Sequence, residues 1–320
     1  MPGVWRVFLF SDRMLCKLPY FCATGAAPHV GCGAWIVSDA PHRLAFRSMF
    51  DEIKTASAMQ RVKGRAGAVI GPEGRLCRLW QSGSAKAILP RMHGRAAEVV
   101  FLNTAGGLTG GDRLDYSIDL ATGARAVGTT QTAERAYLSR TGMAQVDVTL
   151  TLGAGAKLHW LPQEMIVFDG AAIARNLQVE MADDAELAML ETLVLGRAAM
   201  GERLARIHLR DRRRVIRGGR HVMLEAIALD DADLIRPGVA GLGDAVAVAT
   251  LALFAPDAED RLAALRAVLP DDGPVRAAAS AWDGRVVARF MAPAAWPLRQ
   301  AVARAVATVT GGALPRVWQI

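Results

Sequence analysis

Cysteine and histidine are scarce in this chain, and the few present do not cluster. It has 4 cysteines and 6 histidines in 320 residues. Cys16, Cys22, Cys32 and Cys77 all fall in the first quarter, at spacings that match neither a zinc ribbon nor a CxxC redox pair, and this usage points to a reducing cytosol. His29, His42, His93, His159, His208 and His221 form no HxH, HxxxH or Cys-His group, so the pattern offers no preformed transition-metal cage. Aromatic residues make up only 6%, leaving Ala, Val and Leu to build the core, which suits thin, closely packed layers. No run approaches the roughly 20 apolar residues of a bilayer helix, so no membrane partner is expected. The short stretch from Val7 to Phe10 is cut off by Ser11, Asp12 and Arg13, which does not make a signal peptide. A GxSxG elbow and a reactive-cysteine context are also missing, so no catalytic residue is assigned.

What is present is enough for a proper core: 52% hydrophobic residues against 22% charged. The formal net charge of +7 and a pI near 9.7 make acidic proteins, nucleic acid and anionic surfaces candidate partners. Residues 1–58 show no sustained periodicity, hold three of the four cysteines, and scatter Gly and Pro between Thr24 and Gly33. Two readings stay open for this irregular N-terminal extension: a segment outside the fold, or an upstream start with Met49 or Met59 as the true one.

From Ala97 onward the apolar period is two, the mark of strands with one buried face. Leu114, Tyr116, Ile118 and Leu120 alternate with Asp115, Ser117 and Asp119, and Val146 to Leu152 repeats the pattern. Ile173, Leu177, Val179 and Met181 continue it, with Arg175, Gln178 and Glu180 read as the polar partners. Three strand-turn-strand units then align, YSIDLATGARAVGTTQ, VTLTLGAGAKLHWLPQ and LQVEMADDAELAMLET, bringing Ala124, Ala156 and Ala185 together just after the turn. A small residue at a fixed corner, recurring at steps of roughly 30 residues, is what stacked β-coils produce. The expected fold is mainly β, with helically stacked, β-helix-like sheets in a single domain over 59–320. A plain β-sandwich is the alternative. Gly218-Gly219 marks a hairpin turn, and Ala258 to Leu269 and Leu298 to Val309 carry helical spacing, placing a few helices near the C-terminus.

The segment Asn103 to Asp112, NTAGGLTGGD, lacks the Lys-Ser/Thr of a phosphate loop and is followed by a strand. Gly106, Gly107, Gly110 and Gly111 read as a bend where another backbone comes close, with Asp112 at its edge. Pro162 follows a strand, so Gln163 and Glu164 sit at a corner. Arg197 and Glu202 stand between two glycines, either as a salt bridge or as an interface charge and transient metal ligand. The arginines at 203, 206, 210, 212, 213, 214, 217 and 220 form the densest basic stretch. Aromatics do not interleave with them, so solvated strand faces or an acidic partner are favoured and nucleic acid is the alternative.

In order and spacing, NTAGGLTGGD (103–112), TTQTAERAY (129–137), LHWLPQEMIVFDGA (158–171), LGRAAMGE (195–202) and LPRVW (314–318) resemble the UreD (UreH) family, with GRAGAV (64–69) and GSAKAILPR (83–91) continuing the match upstream. The resemblance implies a cytoplasmic, non-enzymatic urease maturation factor. It implies binding to UreF, recruitment of the GTPase UreG through UreF, and docking on the apo-urease subunits. It also implies nickel in transit through the interior, with no tightly bound cofactor. A conduit needs weak, successive oxygen donors, because a tight cage would hold the ion. Asp112 and Glu202 are therefore the expected ion-path residues, with Glu164 and Glu191 as further carboxylates in or beside the motifs and Gln163 and Arg197 supporting the architecture. Glu134 and Arg135 are assigned nothing.

Overall fold

Alternation at period two gives strands such as Arg113–Leu120, Ala144–Leu152 and Ala171–Met181 one buried face, and the repeated turns decide what that face meets. The computed structural model describes residues 61–91, 96–236, 241–312 and 314–318; the expectations for residues 1–58 and for His93 lie outside them. The strands are β1 (Lys63–Ile70), β2 (Leu76–Gly83), β3 (Ala85–Ile88), β4 (Ala97–Asn103), β5 (Arg113–Leu120) and β6 (Arg125–Thr130). Next come β7 (Glu134–Ala136), β8 (Ala144–Leu152), β9 (Lys157–Trp160), β10 (Met165–Val167), β11 (Ala171–Met181) and β12 (Glu186–Leu195). After them follow β13 (Ile207–Arg217), β14 (Arg220–Asp230), helix α1 (Asp231–Leu234) and β15 (Ala247–Phe254). Helix α2 (Leu262–Val268), β16 (Arg276–Trp282), β17 (Arg285–Ala292) and helix α3 (Ala295–Thr310) complete the order.

They form two sheets, β14-β13-β11-β8-β5-β1-β2 and β16-β17-β15-β12-β9-β6-β4-β3, with β7 and β10 attached beside β12. The three aligned units are successive rungs: β5, β8 and β11 pair in parallel in the first sheet, and β6, β9 and β12 do so in the second. The result is a mainly β fold with solenoid-like stacking. At each corner a backbone hydrogen bond closes the turn, Ala124 N to Ala121 O at 3.0 Å, Ala156 N to Gly153 O at 3.1 Å and Ala185 N to Ala182 O at 3.2 Å. Rungs are then tied together by Lys157 N to Ala124 O and Glu186 N to Ala156 O, both 2.9 Å. All three alanines are fully buried, so the corner admits a methyl group and little more.

Two apolar layers result. One lies between the sheets, and the other lies between the outer face of the second sheet and α2 and α3. Strand β12 is buried on both faces: Leu187, Met189 and Leu193 face the first sheet, while Ala188, Leu190 and Val194 face the helices. The glycine pair 218–219 makes the β13–β14 hairpin as expected, and the two helical stretches appear as α2, preceded by a short 3-10 turn, and α3.

Candidate functional site

The inward face is apolar only in part. In the first sheet Leu114, Val146, Arg175, Asp211 and Ile227 share one row of the register, and Tyr116, Val148, Leu177, Arg213 and Glu225 share the next. Across from them in the second sheet lies the row Glu191, Thr250 and Arg289. Charge therefore enters the space between the sheets at β11 and builds toward β14. Arg175 was read as an outward polar residue; the structure corrects this, because it has the phase of Ile173 and Leu177 and points inward.

These side chains form one connected line. Arg175 bridges Glu191 and Asp211, the latter at 3.1 Å. Asp211 also accepts from Arg213 at 2.7 Å, and Arg213 reaches Glu225 at 2.7 Å. Glu225 pairs with Arg289, which is 52% exposed at the far end. Glu191 is held from a second side by the indole N–H of Trp160 at 2.9 Å. Burial pushes the Asp211 carboxyl up, but the guanidinium groups of Arg175 and Arg213 outweigh it and hold it below the usual carboxylate range. Arg213 Nε has no hydrogen-bond acceptor among the described residues. An ionic line this deep adds little to stability, since desolvation offsets most of the attraction.

At its other end the line opens into a cavity of about 70 Å³, with Gly106, Thr132 and Arg135 at the exposed mouth and Arg175 and Glu191 at the inner end. Phe101, Tyr116 and Trp160 make one wall, with ring centroids 4.7 Å and 6.1 Å apart from Phe101. Glu134 lines it too, and burial raises its carboxyl above the usual value against the backbone hydrogen bond from Arg135. Burial first, and the Glu134 charge second, push the Tyr116 phenol up.

Of the residues singled out from sequence, Gly106, Gln163 and Glu191 line this cavity. The glycine bend does bring backbones together: a Cβ at Gly107 would lie 2.1 Å from the Tyr137 ring, and one at Gly110 would lie 1.9 Å from Ser139 Oγ and 2.3 Å from the Thr141 carbonyl oxygen. Gly111 adopts φ 87° beside them. Asp112 is buried away from the cavity, its two oxygens accepting from Val62 N and Thr109 N at 2.8 Å each, so it ties the bend to the start of β1. Glu202 closes its own loop through a two-pronged pair with Arg197 at 2.9 and 3.0 Å, and that hydrogen bonding lowers its carboxyl pKa. Arg197 also stacks on Phe168 at 4.5 Å. Gln163 donates to Val317 O at 2.8 Å and accepts from Arg299 at 2.6 Å, while Glu164 pairs with Arg299 at 3.0 Å. Two separate motifs, LHWLPQE and LPRVW, thus meet at one corner.

Sequence reasoning missed Arg175, Asp211, Arg213, Glu225 and Glu134. For the first three the available signal was phase, charge at inward positions of neighbouring strands. The basic stretch 203–220 is not one solvated face: Arg213 is buried, Arg206 pairs with Asp169 and Arg210 with Asp230, and Arg217 binds the carbonyls of Asp183 and Gly284. Among the described residues no group of three His, Cys, Asp or Glu side chains could hold a metal ion, and no helix is long and apolar enough to cross a membrane.

Fold and site together define a stacked-β protein with a line of paired charges buried between its two sheets. Residues 56–319 match the family model described as UreD urease accessory protein. A urease accessory protein UreD of Jannaschia sp. (strain CCS1) is 66% identical over 261 residues, covering 82% of this chain and 97% of the relative. Those of Cereibacter sphaeroides (strain ATCC 17025 / ATH 2.4.3) and Paracoccus denitrificans (strain Pd 1222) are 54% and 50% identical, covering 77% and 85% of this chain and 89% and 97% of their own lengths. The chain belongs to the UreD family of urease accessory proteins.

Proposed function

We propose that this chain serves urease maturation as a cytoplasmic, non-enzymatic scaffold. It docks on the apo-urease subunits with UreF and, through UreF, the GTPase UreG, and it lets nickel pass along its interior toward the urease active site. The observation that carries the reading is the polar line from the cavity through Glu191, Arg175, Asp211, Arg213 and Glu225 to half-exposed Arg289. Carboxylates spaced along a route, each compensated by a guanidinium, bind a divalent ion weakly and in succession, as transit requires. Nickel is cargo in this reading and not a resident cofactor.

The ion path assigned here runs by Glu134 and Glu191. Asp112 and Glu202, the carboxylates first singled out, shape it by fixing the glycine bend and the loop after β12. In cells expressing the urease subunits and the other accessory proteins, omitting this chain lowers urease activity and urease nickel content together while apo-urease stays abundant. Unchanged nickel content without the chain contradicts the proposal.

A further inference from the structure

Glu191 on β12 and Asp211 on β13 come from opposite sheets, are 3% and 2% exposed, and are joined by a single side chain. Arg175 gives one guanidinium nitrogen to each. It is also the network's most cavity-accessible buried cation: 13% exposed and lining the cavity beside Glu191, whereas Arg213 is 2% exposed and does not line it. Without Arg175, two carboxylates from facing strands would be left with only Arg213 beside Asp211 and the Trp160 N–H on Glu191 to compensate them. Such a pair of hard oxygen donors in a low-dielectric interior attracts a divalent cation strongly.

We propose that Arg175 is a resident counter-cation. It occupies the place between Glu191 and Asp211 that a divalent metal would take, and it yields that place by swinging into the adjoining cavity. Passage past this point is then the exchange of a guanidinium for a metal ion. The arginine keeps the interior from becoming a storage site, because an ion that enters must displace a charge already paired with both carboxylates. Arg175 thus sets how weakly the route holds its cargo. This inference rests on the conduit reading and names what regulates it.

The test is equilibrium dialysis of the full chain against Ni²⁺ alone. R175M gains one bound Ni²⁺ with an affinity at least about tenfold above wild type, the double variant R175M/E191Q loses that gain, and R175K behaves as wild type. Where R175M does not reproduce the wild-type circular dichroism, R175Q carries the same expectation and keeps a hydrogen-bond donor at the site. A folded R175M or R175Q that binds no more Ni²⁺ than wild type overturns the proposal, as does a gain that survives E191Q. The two readings fail separately: nickel loading of urease that depends on the chain, with no gain in R175M, removes the exchange role and leaves the conduit. Nickel loading that is independent of the chain removes the conduit, whatever the dialysis shows.

Discussion

Trp160 donates its indole N–H to Glu191 at 2.9 Å, so the last residue of β9 fixes a carboxylate that β12 carries into the space between the sheets. That contact joins the aromatic wall of the cavity to the buried ionic line. Trp160→Phe keeps an aromatic ring in the wall but removes the indole donor, and loss of a hydrogen bond to a charged group costs about 1.5–3 kcal/mol. Denaturant unfolding measures it, and an unchanged midpoint contradicts the assignment.

Arg213 is the hub of the line, compensating Asp211 and Glu225 at 2.7 Å each. Arg213→Met leaves Asp211 with Arg175 alone and Glu225 with Arg289 alone, and destabilises the fold by up to about 3–5 kcal/mol, whereas replacing Asp211, Arg213 and Glu225 together with Leu, Met and Leu recovers most of that loss. The triple variant therefore separates folding from function: it unfolds near the wild-type midpoint but delivers less nickel.

Because Asp211 sits below its ordinary carboxyl value when folded, its pairing stabilises the fold above that ordinary value and is lost as pH falls through the lowered one. Stability measured against pH accordingly has an acid limb beginning below about pH 4, where unfolded Asp titrates. Asp211→Asn flattens that limb.

Glu134 carries the opposite sign. Burial raises its carboxyl, so the folded state loses stability as pH rises from the ordinary carboxylate value to the raised one, and the loss persists above it. Glu134→Gln raises the thermal midpoint at pH 7 and leaves it unchanged near pH 3, read by scanning calorimetry at both. A lower midpoint at pH 7 contradicts a desolvated carboxylate there.

The corner alanines give a packing test. Ala156 is fully buried between the matching corners of the rungs on either side, and Ala156→Leu overpacks all three at a cost of about 1–3 kcal/mol. Gly155, the exposed residue just before it, is not enclosed in this way, since a Cβ there would meet only Asp184 Oδ2 at 3.9 Å.

The stacked architecture was legible because Ala124, Ala156 and Ala185 recur at one corner, and a repeat of that kind can be seen without knowing what lies across from it. The ionic line was not, because it depends on which sheet faces which: Asp211 and Arg213 alternate like any solvated strand until β12 and β17 are set opposite them. Arg175 was misread for a related reason, since a charged residue between Ile173 and Leu177 looks like an outward position unless its phase is counted. Glu191 stood out as a carboxylate beside a motif, and Glu134 was passed over inside one. What Asp112 and Glu202 hold was not legible either, because the amides of Val62 and Thr109 around one and Arg197 beside the other are set by loop geometry that no alternation pattern shows.

The most direct test is the nickel content of urease matured in cells carrying Glu191→Gln, a substitution that keeps an acceptor for Trp160 and removes the charge from the route. The account predicts that UreF, UreG and apo-urease still assemble with the variant while nickel per urease falls at least about tenfold. Wild-type nickel loading by a folded, assembled Glu191→Gln variant would show that the ion does not travel between the sheets.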